Sequence, residues 1–227
     1  MRAPVLAVAG LAREARIASG EGVETIQAGG RPEQLRAGLA ARGDVPPRAV
    51  LSFGIAGGLD PALAPGDVVV GSGVWEGAAY RPAERDLVAR LAGRLTRLTD
   101  ARVVVADLAG VEAAVLTPAA KVALRARTGA AAVDMESHVA AAYAAERAQP
   151  FAAIRVVCDP AARTLPAFAA TALKPNGDPD VAGVLAALLR REARIAELIR
   201  LARDSGAAFR ALGRARALLG FALGVDA

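Results

Sequence analysis

Short apolar runs that end at glycine or aspartate are the feature that most constrains the fold of this chain. Val5–Ala9 ends at Gly10, and Phe151–Val157 is followed closely by Asp159. Runs of this length and composition are typical of buried strands. Stretches with helical signals separate them, such as Pro32–Arg42, which begins with proline and is followed by glycine. Strands that alternate with helices indicate an α/β fold with a largely parallel or mixed sheet between helices.

The same signals give a provisional map of the chain. Predicted strands are Val5–Ala9, Val23–Ala28, Ala49–Ile55, Val68–Val70, Arg102–Ala106, Ala131–Val133 and Phe151–Val157. Predicted helices are Ala12–Ile17, Pro32–Arg42, Ala83–Leu95, Pro118–Arg127 after a Thr117 cap, and Ser137–Arg147. Residues 161–180 favour a loop with one short helix at 167–173, and residues 181–220 favour two or three amphipathic helices. We expect one domain over residues 1–227, with 161–227 as a loop and helices packed on it.

Composition excludes several classes of protein. The chain is 54% hydrophobic, yet no window approaches the ~18–20 uncharged residues of a membrane span. Its net charge is +5, but the arginines are dispersed and aromatic residues make up only 4%, so we expect no nucleic-acid partner. Lys121 and Lys174 are the only lysines. A lone Cys158 and a lone His138 exclude an internal disulfide and predict no metal site. We expect a cytoplasmic protein.

Two segments, one rich in glycine and one with two carboxylates, lie at the ends of predicted strands. Ser52–Leu59 contains three glycines after an apolar run; it suits either close approach of a ligand to the backbone or a tight turn. Val133–Ser137 carries Asp134 and Glu136 at a strand-to-helix junction. Ligands bind at this edge of open α/β sheets, so Glu136 could grip the two vicinal hydroxyls of a ribose. Alternatively, both carboxylates interact with the helix dipole.

Two further segments carry charged residues at strand ends. Arg155–Asp159 delivers one carboxylate at the exit of an apolar strand; among apolar neighbours it can stay protonated and act as a general acid, or it forms an Asx-turn before Pro160. Gly10–Arg16 alternates acid and base after the first strand. It offers a base or an anion site, although such runs are usually solvated helix faces.

Taken together and in this order, the segments resemble the purine nucleoside phosphorylase and nucleosidase superfamily. The matching pieces are a glycine-rich strand end, a GDVVV strand, a ribose motif and a strand end with the acid, here Gly54–Gly58, Gly66–Val70, Val133–Glu136 and Arg155–Asp159. Within it, Val133–His138, Arg155–Pro160 and Leu198–Arg203 are most similar to the hopanoid-associated phosphorylase group. The resemblance implies a three-layer sandwich with a mixed central sheet flanked by helices.

The resemblance also implies a reaction and residue roles. Asp159 would protonate N7 of the purine, and Glu136 would hold the ribose hydroxyls and stabilise the cationic sugar. Met135 would pack on the sugar, with Asp134 and Ile55 nearby and Gly57 and Gly58 lining the side of the anion or water. Without a gap, the water-activating glutamate of the nucleosidases falls on Ala15. A shift of one residue makes Glu14 the candidate base; without that shift this chain lacks the base. The substrate would be a purine nucleoside, in that group the lipid-linked adenosylhopane.

Several alternatives stay open at this stage. The nucleophile is water or phosphate as co-substrate, with no other cofactor, and Arg13 and Arg16 are the candidate phosphate ligands. A non-catalytic nucleoside-binding or dinucleotide-binding module is an alternative, as is a nucleosidase for soluble substrates such as methylthioadenosine. The C-terminal helix carries Phe209, Leu212, Leu218, Leu219 and Phe221 among arginines, so it either contacts a membrane surface or packs on the sheet. We expect a homo-oligomer.

Overall fold

Eight strands form one mixed sheet in the computed structural model, which describes residues 3–43, 45–166 and 195–225. The strands are β1 Val5–Ala9, β2 Val23–Gln27, β3 Ala49–Gly58, β4 Val68–Glu76, β5 Ala79–Pro82, β6 Val103–Gly110, β7 Ala132–Asp134 and β8 Phe151–Asp159. The helices are α1 Ala12–Ala18, α2 Pro32–Ala40, α3 Arg85–Leu95, α4 Pro118–Thr128, α5 Ser137–Glu146 and α6 Ile195–Leu219, followed by a 3₁₀ turn at Phe221–Gly224. The predicted fold class, a mixed central sheet flanked by helices, is confirmed.

The strand pairing brings the ends of β3, β7 and β8 together. β3 pairs parallel with β1 and β8 and antiparallel with β7, while β4 pairs antiparallel with β8 and parallel with β6. Because β6 also pairs with β7, these five strands close a ring. Gly57 lies opposite both Val133 of β7 and Asp159 of β8. The glycine-rich segment and the two acidic segments therefore meet at one place.

Two groups of helices cover the sheet. α6 packs against β8, β3, α1 and α3, whereas α5 contacts β3, β6 and β8 and packs against α2. Phe209, Leu212 and Leu219 of α6 are buried in the core. Burial of this apolar face favours the helix packed on the sheet over the membrane-surface alternative. No helix in the described ranges has the length and apolar character needed to cross a membrane.

Several element boundaries differ from the sequence prediction. β4 continues to Glu76 through Gly71 and Gly73, and a Cβ atom at Gly73 would lie 2.2 Å from Oη of Tyr80. These glycines therefore admit neighbouring side chains instead of ending the strand. β5 was not predicted because Ala79–Pro82 is a mostly exposed edge without alternating polarity. The Thr117 cap of α4 and its end at Gly129, whose φ is +69°, are confirmed.

The C-terminal prediction is only partly covered by the described residues. The predicted short helix at 167–173 and the start of the predicted amphipathic helices at 181–194 lie outside them. Within 195–219 the chain is a single helix, α6, and the predicted number of helices over 181–220 stays a prediction. Ala208, Ala211 and Ala215 are buried on the side of α6 that packs against the sheet.

Candidate active site

Carboxylates from α1, α5 and β8 meet at a cleft of about 200 Å³ beside the ends of β1, β3, β7 and β8. The predicted site residues that line this cleft are Glu14, Ile55, Gly57, Asp134, Met135, Glu136 and Asp159. Further lining residues are apolar: Leu11, Val111, Ala114, Val115 and Leu165. A concave apolar site with a few converging polar groups is typical of small-molecule binding.

Glu14 is held rigidly at the base of the cleft. It lies in the first turn of α1, where backbone N–H groups are free of helical partners. Its Oε2 accepts hydrogen bonds from the N–H groups of Gly10 and Leu11, both at 2.8 Å, and Oε1 accepts one from Ile55 at 2.7 Å. Burial raises the pKa of the Glu14 carboxyl, against the opposing effects of Arg155 and these donors.

Glu136 stands at the N-terminus of α5 and faces Gly10. Its Oε2 accepts a hydrogen bond from Nη1 of Arg155 at 3.1 Å. Burial raises the pKa of Glu136 to about 7; Arg155 opposes the rise, while Asp134 and Glu14 add to it. A carboxyl that titrates near neutrality inside a cleft is a candidate functional group.

Asp134 lines the cleft, but its carboxylate accepts hydrogen bonds from the residues at the start of α5. Oδ1 accepts hydrogen bonds from the N–H groups of Glu136 and Ser137, at 2.9 and 2.6 Å, and Oδ2 accepts one from Oγ of Ser137 at 2.7 Å. Both oxygens are thus used by local partners. For Asp134 the geometry favours the helix-terminal interpretation over contact with a substrate.

Arg155 organises these carboxylates, a role that the sequence analysis did not assign. It is fully buried in the middle of β8, and its Nε lies 3.3 Å from Oδ2 of Asp134 while Nη1 bonds Glu136 and, at 3.2 Å, the carbonyl oxygen of Ile55. Ser52 and Ser137 accept its remaining hydrogen bonds. The sequence signal for this role is the position of an arginine between the apolar residues Ile154 and Val156. An arginine within a buried strand needs partners for its charge.

Asp159 ends β8 with ion-pairing and hydrogen-bonding partners that the sequence analysis did not assign. The ammonium of Lys121, itself fully buried in α4, pairs with Oδ2 of Asp159. The Cys158 thiol donates to Oδ1 at 3.2 Å, and burial raises the pKa of this thiol, so it stays protonated. Asp159 therefore has a charged and a polar neighbour besides the apolar residues of its strand. Lys121 was recognisable only as one of two lysines in an arginine-rich chain.

The glycine-rich segment makes room for carboxylates. A Cβ atom at Gly54 would lie 2.6 Å from Oε1 of Glu14, and one at Gly10 would lie 2.6 Å from Oε1 of Glu136. Gly57 faces Asp159, and a Cβ atom there would lie 3.4 Å from both carboxylate oxygens. Gly58 pairs with Ala132 within the sheet and does not line the cleft, contrary to its prediction as a ligand-side residue. The segment is strand, not a tight turn.

The predicted phosphate ligands lie away from the cleft. The Arg13 guanidinium stacks on the Phe209 ring of α6, 4.1 Å from the ring centre, and Arg16 is in the last turn of α1. Neither side chain lines the cleft. Because α1 turns Glu14 inward, the neighbouring position 13 and position 16 point elsewhere. The prediction that Arg13 and Arg16 bind phosphate is not supported.

A second cluster surrounds His138. Nε2 of His138 lies 3.0 Å from Oε1 of Glu112, whose carboxylate also receives two hydrogen bonds from Arg36. Hydrogen bonding to Arg36 lowers the pKa of Glu112 to about 2. Glu76, Glu112 and His138 are close enough to share a metal ion, but the Arg36 guanidinium already supplies the positive charge there. This geometry favours a structural role for His138.

Comparison with known proteins places the chain in a family. The sequence profile of the phosphorylase superfamily matches residues 21–194. The chain belongs to the phosphorylase superfamily. This membership confirms the prediction of an enzyme that cleaves nucleosides. No curated protein sequence matches the chain significantly.

Solved structures of nucleosidases share the fold of this phosphorylase superfamily member. Futalosine hydrolase of Helicobacter pylori strain 26695 is 14% identical, with a TM-score of 0.63, and the match covers 95% of this chain and 97% of that one. The 5'-methylthioadenosine/S-adenosylhomocysteine nucleosidase from Neisseria meningitidis, in complex with methylthio-immucillin-A, is 16% identical, with a TM-score of 0.62 and coverage of 93% and 98%. The corresponding nucleosidase from Colwellia psychrerythraea 34H, with adenine, is 18% identical, with a TM-score of 0.61 and coverage of 94% and 96%.

Proposed function

We propose that the cleft hydrolyses the N-glycosidic bond of a purine ribonucleoside, with water as the nucleophile. The observation that carries this proposal is the charge of the cleft wall. Glu14 and Glu136 line it as carboxylates, whereas the nearby cations, Arg155 and Lys121, are buried in contact with Glu136 and Asp159. A phosphate ion would meet like charge here, but a water molecule would not.

The departure of the base depends on Asp159. As the C1′–N9 bond breaks, its electron pair moves into the purine, and Asp159 transfers a proton to N7. The base then leaves neutral and the carboxyl becomes a carboxylate. Solvent returns the proton before the next turnover.

The sugar is held and stabilised by Glu136. Its ionised carboxylate accepts hydrogen bonds from the 2′- and 3′-hydroxyls, and its negative charge stabilises the oxocarbenium-like sugar of the transition state. Arg155 fixes this side chain through the contact at Oε2. Met135, the residue before Glu136, also lines the cleft and packs against the sugar.

Glu14 activates the water. Three backbone N–H donors fix its carboxylate at the cleft, and its raised pKa makes it a stronger base than an exposed glutamate. It takes one proton from the water as the oxygen bonds to C1′, and it releases this proton to solvent before the next turnover. The products are the free purine and a sugar with a hydroxyl at C1′.

The substrate we propose is an adenine nucleoside with an apolar 5′ group, such as adenosylhopane. The apolar lining of Leu11, Val111, Val115 and Leu165 supports it, because such a surface suits purine faces and an apolar substituent. The resemblance to hopanoid-associated phosphorylases supports a lipid as the 5′ substituent of the substrate. A methylthioadenosine-type substrate is the second candidate, supported by the nucleosidases that share the fold.

The test is adenine release from adenosylhopane, a 5′-alkyl adenosine and methylthioadenosine, measured by chromatography. We expect release from at least one, highest for the substrate with the bulkiest apolar 5′ group, and a loss of about 10²-fold or more in Asp159→Asn. Asp100→Asn is the matched control, since Asp100 is an exposed residue that pairs with Arg214. No release from any substrate, or an unchanged rate in Asp159→Asn, would contradict the proposal.

A further inference from the structure

Lys121 is a buried cation that contacts the candidate acid Asp159 but not the cleft itself. Its side chain is fully buried in α4 and does not line the cleft. The ammonium pairs with Oδ2 of Asp159 and donates a hydrogen bond to the carbonyl oxygen of Pro160 at 3.0 Å. A buried ammonium needs hydrogen-bond acceptors, and these two acceptors tie α4 to the end of β8.

The position of Lys121 in α4 places its ammonium against Oδ2 of Asp159. Thr117 caps the helix by accepting a hydrogen bond from the Ala120 N–H at 3.2 Å, which fixes the first turn and therefore the start of the Lys121 side chain. On the other carboxylate oxygen, Cys158 donates from its thiol. Asp159 thus carries a charged donor on Oδ2 and a weak, neutral donor on Oδ1, which leaves Lys121 as the stronger partner.

We propose that Lys121 is a positioning residue that orients Asp159 and stabilises the carboxylate formed when Asp159 gives its proton to the leaving purine. This rests on the proposed function. In that step the O–H bond of Asp159 breaks, an N7–H bond forms, and the C1′–N9 electron pair goes to the base. Negative charge therefore appears on Asp159 beside the ammonium, where an existing hydrogen bond strengthens as the charge develops.

This role limits the effect of Lys121 to leaving groups that need a proton. An adenine nucleoside needs protonation at N7, whereas 4-nitrophenyl β-D-ribofuranoside releases a stable phenolate without it. A residue that merely maintains the fold would influence both substrates alike. The ratio of the two losses therefore separates positioning of the acid from a structural role.

The experiment compares wild type, Lys121→Met and Lys121→Arg on both substrates, with kcat and KM measured separately. We expect Lys121→Met to lower kcat on the adenine nucleoside about 10- to 100-fold, as part of the ~10²–10⁴-fold from general acid catalysis. KM changes little, and the loss on the nitrophenyl riboside is at least about tenfold smaller. Lys121→Arg, which keeps the charge, recovers part of the rate. Arg127→Met is the matched control, because Arg127 is an exposed cation on the same helix.

A double variant completes the test. In an Asp159→Asn background, Lys121→Met should cause little further loss, because the two residues act on one proton transfer. Equal losses on both substrates, or multiplied losses in the double variant, overturn the proposal. If Lys121→Met does not fold, the Lys121→Arg substrate ratio decides: a loss confined to the adenine nucleoside supports it, and equal losses overturn it. A wild type that releases no base from any substrate overturns the proposed function as well.

Discussion

Gly54→Ala is the most direct test of the packing between β3 and Glu14. The new Cβ atom would lie 2.6, 2.7 and 2.9 Å from Oε1, Cδ and Oε2 of Glu14, all closer than carbon contacts allow. The neighbouring atoms belong to a buried carboxylate held by three backbone N–H groups, so the side chain cannot move without breaking at least one of these hydrogen bonds. The backbone itself tolerates alanine, because Gly54 lies in the extended strand β3.

The magnitude follows from those hydrogen bonds. A hydrogen bond to a charged group contributes about 1.5–3 kcal/mol. Loss of one lowers the free energy of unfolding by about 2 kcal/mol, or the Tm by about 4–8 °C for a chain of this size. Displacing the Glu14 carboxylate, the proposed water-activating group, should also lower kcat about 10²-fold.

Thermal unfolding and adenine release measure the two effects of Gly54→Ala. Gly93→Ala is the matched control: Gly93 lies in α3 with no atom within 4 Å of the added Cβ, so this variant should gain about 0.5–1 kcal/mol and keep its rate. In a Glu14→Ala background, Gly54→Ala should have little further effect on either quantity. A Gly54→Ala protein with wild-type Tm and kcat would refute the reasoning.

Three further predictions follow from the site. Since Glu136, with a pKa of about 7, must be ionised to hold the sugar, kcat/KM should rise between pH 6 and 8, and the Glu136→Gln variant should lack this limb; a flat wild-type profile contradicts the assignment. Arg155→Met should lower the free energy of unfolding by about 3–5 kcal/mol in urea titrations, because buried carboxylates lose their partner; a change below about 1 kcal/mol counts against this role. Arg13→Ala should leave adenine release and its response to phosphate unchanged, since Arg13 stacks on Phe209; a phosphate-dependent loss would restore it as a ligand.

The fold was largely predictable from local patterns. Most strands are apolar runs with clear ends, and α4 has a cap at Thr117 and a stop at Gly129, so their positions follow from nearby residues. The β5 edge was missed because its residues are mostly exposed and lack alternation. The closed ring of β3, β8, β4, β6 and β7 is a property of pairing between distant strands, which no local pattern encodes.

The candidate site was predictable where motifs mark strand ends. Glu136 and Asp159 line the cleft as predicted, and Glu14 joins them in spite of its one-residue offset from the nucleosidase pattern. The partners of these carboxylates were not predictable: Lys121 comes from a helix 38 positions before Asp159. From the sequence alone Arg155 is an isolated charge, because its carboxylate partners are brought next to it only by the fold.

The glycines show the same limit of sequence reasoning. The pattern at Gly54 and Gly57 indicates a need for space, but the sequence does not say whether a ligand or a side chain fills it. In the structure the Glu14 carboxylate occupies the space at Gly54, and the Asp159 carboxylate faces Gly57. Their function in the proposed reaction is therefore to admit the catalytic groups.

The identity of the sugar product tests the central claim most directly. An adenine nucleoside that wild type cleaves is incubated in phosphate-free buffer and again with rising phosphate, and adenine and the sugar are quantified together. Hydrolysis in the acidic cleft predicts equal amounts of adenine and free sugar, at a rate that phosphate does not increase. Adenine that appears only with phosphate, together with a ribosyl phosphate, would contradict it.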